Sequence, residues 1–430
     1  MACAVLGVVL AGLDSAIVNI ALPTVARDLH ATDAATVWVV NSYQLATTIF
    51  LLPAASLGET FGLKRVYGAG LVLFTLASLG CALAGTLDAL VAARLLQGLG
   101  GSCIAALGGA LVRNVYPRAL LGRGFALIAL AVAISAAAGP SVAALILSVA
   151  SWPWLFLVNV PLGLIAIPLF WAVTPDEPRR PRPLDILGAV LNAATVGLII
   201  VGVDGLGSAR PGVALAELLA GLAFGAALVW QQSKQATPLL PLDLLRIPLF
   251  ALSVCTAICS YAAQILAYIA LPFLFQSDMH RSPVATGLLV TPWPLLVAVA
   301  APIAGRLSAR YPASILGSAG MAALCLGLLL LASMPAHPAD WDVAWRMGIC
   351  GIGFGFYQTP NNLTLMTTGP ANRNAAASGM VAVARTTGWS LGSALVALIF
   401  GLHGGAVTCL LAGAGFAAVG AVVSVARVRA

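Results

Sequence analysis

Polar positions are sparse along this chain, and they cut it into long apolar runs. The runs fall at residues 2–22, 36–57, 66–86, 89–111, 124–150, 155–173, 186–203, 213–231, 249–276, 285–304, 313–333, 344–367, 376–400 and 405–426. None alternates with a period of two, and each is close to the ~20 residues that cross a hydrocarbon core as a helix. Only helices and closed barrels satisfy their backbone in lipid. The pattern therefore predicts an all-α polytopic membrane protein with fourteen spanning helices. Two polar, proline-containing breaks divide it: Thr174–Asp185, TPDEPRRPRPLD, and Gln232–Pro248, containing ATPLLPLDLLRIP. They predict a six-helix half at 1–174, a linker carrying two extra spanning helices at 175–248, and a second six-helix half at 249–430.

The two halves repeat one another. Ile20-Ala21-Leu22-Pro23 recurs as Ile269-Ala270-Leu271-Pro272, 249 positions on. Pro53…Ala55-Ser56-Leu57 is echoed by Pro302…Gly305-Arg306-Leu307 at 249 to 250, and Gly139-Pro140-Ser141 by Gly388-Trp389-Ser390 at 249. Val91-Ala92-Ala93-Arg94 is echoed by Val343-Ala344-Trp345-Arg346 at 252. Ordered matches at nearly one offset imply duplicated parallel halves. That is a transporter signature, with a substrate site expected between the halves near the midplane.

Composition narrows the class. Hydrophobic residues make up 61% of the 430, charged residues 8%, and the mean hydropathy is +1.02. A soluble domain carries about 25% charged residues, so a cytosolic enzyme, a disordered chain and a nucleic-acid binder are excluded. The net charge of +7 is scattered between the runs. With an even helix count, 15 of the 21 Lys and Arg fall on the side of the two termini; Arg27, Arg210 and Arg281 fall opposite. The expectation is a multi-pass protein of a bacterial inner membrane with both termini cytoplasmic. No Lys or Arg precedes Arg27, so the first run reads as a retained span rather than a leader. The eight cysteines all sit in apolar runs, where unpaired, buried thiols are expected, and the four histidines do not cluster. No metal or cofactor is expected. Gly351-x-Gly353-x-Gly355 lies inside a run and reads as helix packing. No phosphate-loop lysine motif occurs, so the energy source is expected to be a proton gradient.

A few side chains carry chemistry. Asp14 lies midway through the first run, where a charge costs roughly 2.5–3.5 kcal/mol on insertion scales. Desolvation favours the neutral form of a carboxyl, which suits a group that loads and releases protons; the alternative is a permanent ion pair. Asp14 and Arg94 each fall roughly 9–12 Å below the outer surface at 1.5 Å per residue, so Arg94 is its natural partner, with Gln97 one turn deeper. Arg385 lies near the midplane. Glu59, Lys64 and Arg65 form a polar turn in ASLGETFGLKRV, with Gly58 and Gly62 permitting tight geometry. Asn41, Tyr43 and Gln44, Tyr261, Gln264 and Tyr268, and Tyr357, Gln358, Asn361 and Asn362 interrupt the runs as candidate substrate contacts or interhelical bonds.

These stretches resemble the major facilitator superfamily, in its 14-helix drug:proton antiporter branch, over essentially the whole chain. Leu13-Asp14-Ser15-Ala16-Ile17-Val18-Asn19-Ile20-Ala21-Leu22-Pro23 resembles that branch's first-helix motif. Ala55 to Arg65 resembles the loop 2–3 motif, with Glu59 where an Asp is usual, Ala55 for a glycine and Ser56 for a basic residue. Arg94-Leu95-Leu96-Gln97-Gly98 resembles the fourth-helix motif tied to proton transfer. Ser135 to Ala144 resembles the antiporter motif; Gly139-Pro140 is intact, while Ser135, Ala143 and Ala144 replace glycines. Trp152-Pro153-Trp154 and Asn159-Val160-Pro161 also look like this branch.

The resemblance implies a secondary active transporter, not an enzyme. Its activity would be proton-coupled efflux, by alternating access, of small lipophilic and often cationic compounds of the quaternary-ammonium or methyl viologen type, with antibiotic resistance as an outcome. It implies Asp14 and Arg94 for proton coupling and Glu59, Lys64, Arg65, Gly139 and Pro140 for gating. Substrate contacts would come from Asn19, Asn41, Tyr43, Gln44, Gln97, Tyr261, Gln264, Tyr268, Tyr357, Gln358, Asn361 and Arg385. The expected partners are a small-molecule substrate, protons and the lipid bilayer, with no nucleic acid and a monomeric chain. Two alternatives stand beside it: export of an endogenous, anionic metabolite held by Arg94 or Arg385, and a non-transporting membrane sensor.

Overall fold

The computed structural model describes residues 2–115, 121–175, 184–207, 211–235, 240–370 and 373–427. Arg118, Arg179, Arg180, Arg182, Arg210 and Arg429 of the topology argument lie outside them. All long elements among the described residues are helices. In chain order they are α1 Ala2–Asp28, α2 Trp38–Phe61, α3 Leu63–Ala82, α4 Leu87–Val115, α5 Leu121–Val149, α6 Asn159–Val173 and α7 Ile186–Gly205. They continue with α8 Pro211–Ser233, α9 Pro248–Phe273, α10 Pro292–Leu307, α11 Ala313–Ala332, α12 Asp340–Thr367, α13 Asn374–Gly401 and α14 Ala406–Ala426. Among the described residues, thirteen spans are long and apolar enough to cross a membrane. The fourteenth, α12, has 28 residues and carries Gln358, Asn361 and Asn362. Short helices Pro153–Leu157 and Pro283–Val290 lead into α6 and α10. Each opens on a proline, whose missing N–H costs nothing at a helix start.

The chain forms two compact units, Met1–Gly202 with Leu215–Leu239, and Val203–Ala214 with Leu240–Ala430. In the first, α1 packs on α5 and α6, α4 on α2 and α3, and α3 on α6. In the second, α9 packs on α13 and α14, α12 on α10 and α11, and α11 on α14. Each pairing of the first unit thus recurs eight helices later.

Glycines set this repetition at atomic detail. A Cβ at Gly98 would lie 2.5 Å from the Tyr43 carbonyl oxygen, and one at Gly351 would strike the Trp293 carbonyl oxygen. A Cβ at Gly100 would lie 2.6 Å from Phe74 N and 2.8 Å from Gly70 O. One at Gly353 would lie 2.5 Å from Leu324 N and 2.7 Å from Gly320 O. These pairs fix the offset at 250 for α2/α10 and α3/α11 and at 253 for α4/α12. The expected echo of Arg94 by Arg346 is therefore one residue out of register, and Arg94 corresponds to Met347. The connections repeat as well: His30 and His280 both take positive φ, 51° and 52°. Thr32 and Ser282 both cap the following turn through Ala35 N and Ala285 N.

Two further details differ from the sequence reading. The polar stretch around Glu59 is helical up to Phe61, and the turn is made by Gly62 alone, at φ +98°. Gly58 instead lies within α2, where a side chain would collide with Leu107. Of the thiols, Cys81, Cys103, Cys259, Cys350 and Cys409 are free and buried, but Cys255 is free and exposed and Cys325 half-buried. The side chain of Cys3 lies outside the described residues. An exposed apolar side chain is in its preferred solvent where that solvent is lipid, which also accounts for exposed Leu145, Val149, Leu164 and Ile186.

Candidate functional site

Within the first unit, Asp14 is buried and accepts from three side chains on two other helices. Arg94 Nη1, from α4, donates to its Oδ2 at 2.5 Å. Gln97 Nε2, one turn along α4, and Asn159 Nδ2, in the first turn of α6, each donate to its Oδ1 at 2.8 Å. The i, i+3 spacing of Arg94 and Gln97 puts both on one face of α4. Arg94 reaches further partners: its Nε donates to Val39 O at 3.0 Å and its Nη1 to Gln97 Oε1 at 2.5 Å. Its guanidinium also lies 4.3 Å from the Tyr43 ring centroid and 5.6 Å from that of Phe156. Gln97 Nε2 donates to Ser78 Oγ at 2.8 Å, and the Cys81 thiol lies 3.7 Å from Gln97 Oε1. Buried polar groups must be matched in this way to be tolerated.

The corresponding positions in the second unit carry no charge. By the registers above, Asp14, Ser78, Cys81, Arg94 and Gln97 correspond to Ala263, Leu328, Leu331, Met347 and Cys350, all buried. The charged cluster is therefore present in one of the two units.

Small residues hold α5 against α1 beside this cluster. A Cβ at Gly139 would collide with Ala16, two residues beyond Asp14, and one at Gly12 would lie 3.1 Å from Ser135 Cβ. Ser135, Ala143 and Ala144 are buried, and Pro140 follows within α5. Glu59, Lys64 and Arg65 are not part of the cluster. They flank Gly62 at the α2–α3 junction, with Glu59 and Arg65 exposed and Lys64 Nζ 5.8 Å above the Trp171 ring.

Other polar residues group differently. Asn19 Oδ1, both amide atoms of Asn41 and Ser42 Oγ are buried with no partner, and Gln44 is also buried. In the second unit, Gln358 Nε2 donates to Tyr261 OH at 3.0 Å and Trp389 Nε1 to Gln264 Oε1 at 3.2 Å. Tyr268 stacks edge-on with Trp293, centroids 5.0 Å apart. Asn361 Nδ2 donates to Tyr357 OH and Ser253 O, while its Oδ1 accepts from Arg427 Nη1 at 2.8 Å. Arg385 lies 5.4 Å over the Trp389 ring of this group. Among the described residues, no three of His, Cys, Asp and Glu come together as a metal site would need. The sequence reading quoted Asn159 only as part of a motif and assigned neither Asn159 nor Ser78 or Cys81 to the site, because nothing in the spacing along one chain ties them to Asp14.

The model of the family described as Major Facilitator Superfamily matches residues 4–393. The chain belongs to this family. It is 47% identical over 429 residues to "Uncharacterized transporter YebQ" of Escherichia coli (strain K12), covering 99% of this chain and 94% of that one. It is 32% identical over 396 residues to "Multidrug resistance protein Stp" of Mycobacterium tuberculosis (strain CDC 1551 / Oshkosh), covering 91% and 73%. A solved POT family transporter in complex with 5-aminolevulinic acid shares the fold, with TM-score 0.73 at 15% identity over 98% of this chain and 94% of that one. The chain is therefore a multi-pass membrane transporter of the major facilitator fold.

Proposed function

We propose that the protein is a proton-coupled exporter of small lipophilic compounds, in the drug:proton antiporter branch, in which Asp14 carries the proton and Arg94 answers its charge. The observation that carries this reading is the buried Asp14–Arg94–Gln97–Asn159 cluster, present in one copy of a duplicated fold. Protonating Asp14 removes the carboxylate from Arg94. The guanidinium keeps Val39 O, Gln97 Oε1 and the Tyr43 and Phe156 ring faces. A buried cation left with no acceptor at all on loss of its counter-ion costs about 3–5 kcal/mol; these remaining contacts lower that cost for Arg94, so both protonation states can be visited. One proton moving through 100 mV supplies about 2.3 kcal/mol, enough to drive concentrative export. The multidrug relative supports a drug-like cargo.

The test is proton movement by the purified full chain in proteoliposomes, challenged with lipophilic cations, anions and neutral compounds. At least one compound is expected to drive it; none doing so would reject the reading. We place the protein, as a monomer, in a bacterial inner membrane with both termini cytoplasmic. In intact cells, the cysteine of Arg180→Cys should react with impermeant reagent only after the membrane is permeabilised, and labelling before that would reverse the orientation. Glu59, Lys64 and Arg65 are assigned to conformational cycling. Glu59→Gln is expected to slow transport several-fold with normal insertion; a wild-type rate would remove Glu59 from gating.

A further inference from the structure

The charge left over in the transporter is positive, and it lies against aromatic rings in the second unit. Asp14 already has three donors, so it offers no uncommitted carboxylate to a cationic cargo. From Pro248 to Ala426 the only acids are Asp278, after the end of α9, and Asp340 and Asp342, in the first turn of α12. Asp340 pairs with Arg281 and Asp342 with Arg346. Arg385 lies 11 residues into the 28-residue α13, far from these ends. Its Nε is buried with no hydrogen-bond partner, and it has no ion pair among the described residues. Arg385 as a whole is half-buried, whereas Arg427, 4% exposed, is a buried cation of this unit; its Nε and Nη2 are also unpartnered.

The surroundings of Arg385 add a shape to this charge. Its guanidinium stacks on Trp389, whose ring meets Tyr261 edge-on at 5.7 Å; Tyr261 in turn meets Phe354 at 5.6 Å. Gln358 fixes the Tyr261 hydroxyl and Gln264 the Trp389 indole N–H, so both rings are held from their polar ends. A guanidinium lying on an aromatic face presents a flat fork of N–H donors that matches a carboxylate or sulfonate. Ring edges and faces beside it favour a flat aromatic body.

We infer that this transporter carries planar aromatic compounds bearing an anionic group, with Arg385 binding the anion and Trp389 and Tyr261 the rings. The inference rests on the exporter reading and sets the charge of its cargo opposite to the cations that the sequence resemblance implies. The test compares two xanthene dyes of opposite charge, carboxyfluorescein and pyronin Y, on the full chain. Dye-induced thermal stabilisation in detergent reads binding, and proton movement in proteoliposomes reads transport. Carboxyfluorescein is expected to stabilise the protein and drive proton movement, and pyronin Y to do neither. Arg385→Gln is expected to raise the half-saturating carboxyfluorescein concentration about tenfold or more. Arg385→Lys, which keeps the charge without the flat fork, should raise it less, and Trp389→Leu should raise it with Arg385 intact. If Arg385→Gln does not fold, the last two variants carry the comparison. Preference for pyronin Y, or an anion response unchanged in every folded variant, would overturn the inference and leave the exporter reading standing. Proton movement with no compound of any charge would bring down both.

Discussion

Replacing Asp14 with asparagine is expected to reduce substrate-driven proton movement to the level of empty vesicles. Asparagine fills the same space but cannot take up and release a proton. It also puts an N–H₂ group where the cluster supplies only donors: Arg94 on one side, Gln97 and Asn159 on the other. One of these contacts becomes donor against donor, and Arg94 loses its counter-charge. Removing one partner of a buried pair costs about 3–5 kcal/mol, so the single variant should also melt at lower temperature. The informative comparison is Asp14→Asn with Arg94→Gln, which removes both charges. If Asp14 carries the proton, the double variant recovers thermal stability and still moves no protons. If the pair is only scaffold, stability and transport return together. Melting temperature and proton flux on the two variants separate these outcomes.

The second large effect is expected at Gly98, next to Gln97 and one turn from Arg94. Its ideal Cβ would lie 2.5 Å from the Tyr43 carbonyl oxygen and 3.1 Å from Tyr43 Cα. Both are backbone atoms, so the clash cannot be relieved by a side-chain rotation; α2 must move away from α4. That movement carries off Val39 O and the Tyr43 ring, the two α2 groups that hold Arg94 when Asp14 is neutral. Gly98→Ala should therefore cost about 1–3 kcal/mol by overpacking and lower transport more than its stability loss explains. Gly415→Ala is the control. A Cβ there meets nothing within 4 Å, so the better helix propensity of alanine, up to ~1 kcal/mol, should leave stability unchanged or improved. Equal effects at the two positions would mean that the α2–α4 contact does not position Arg94.

The sequence by itself determined the class and most of the fold. Long apolar runs in a chain with few charges admit only membrane helices, because lipid satisfies no backbone group. Repeats such as Ile20–Pro23 and Ile269–Pro272 were visible because proline and glycine stand out in apolar sequence. Asp14 and Arg94 were legible for a related reason: a charge inside a run is costly enough to require a partner. The tertiary structure decided everything that depends on how helices cross. It brought Asn159, 145 residues away in sequence, onto the Asp14 carboxylate and set Gln97 beside it. It fixed the α4/α12 register one residue from the sequence echo, because backbone contact at Gly98 and Gly351 tolerates no slip. It also showed which charges are neutralised and which are not. Asp14 and Arg94 cancel, while Arg385 keeps its charge against Trp389. That difference comes from which side chains meet across helices, and the spacing of residues along one chain does not contain it.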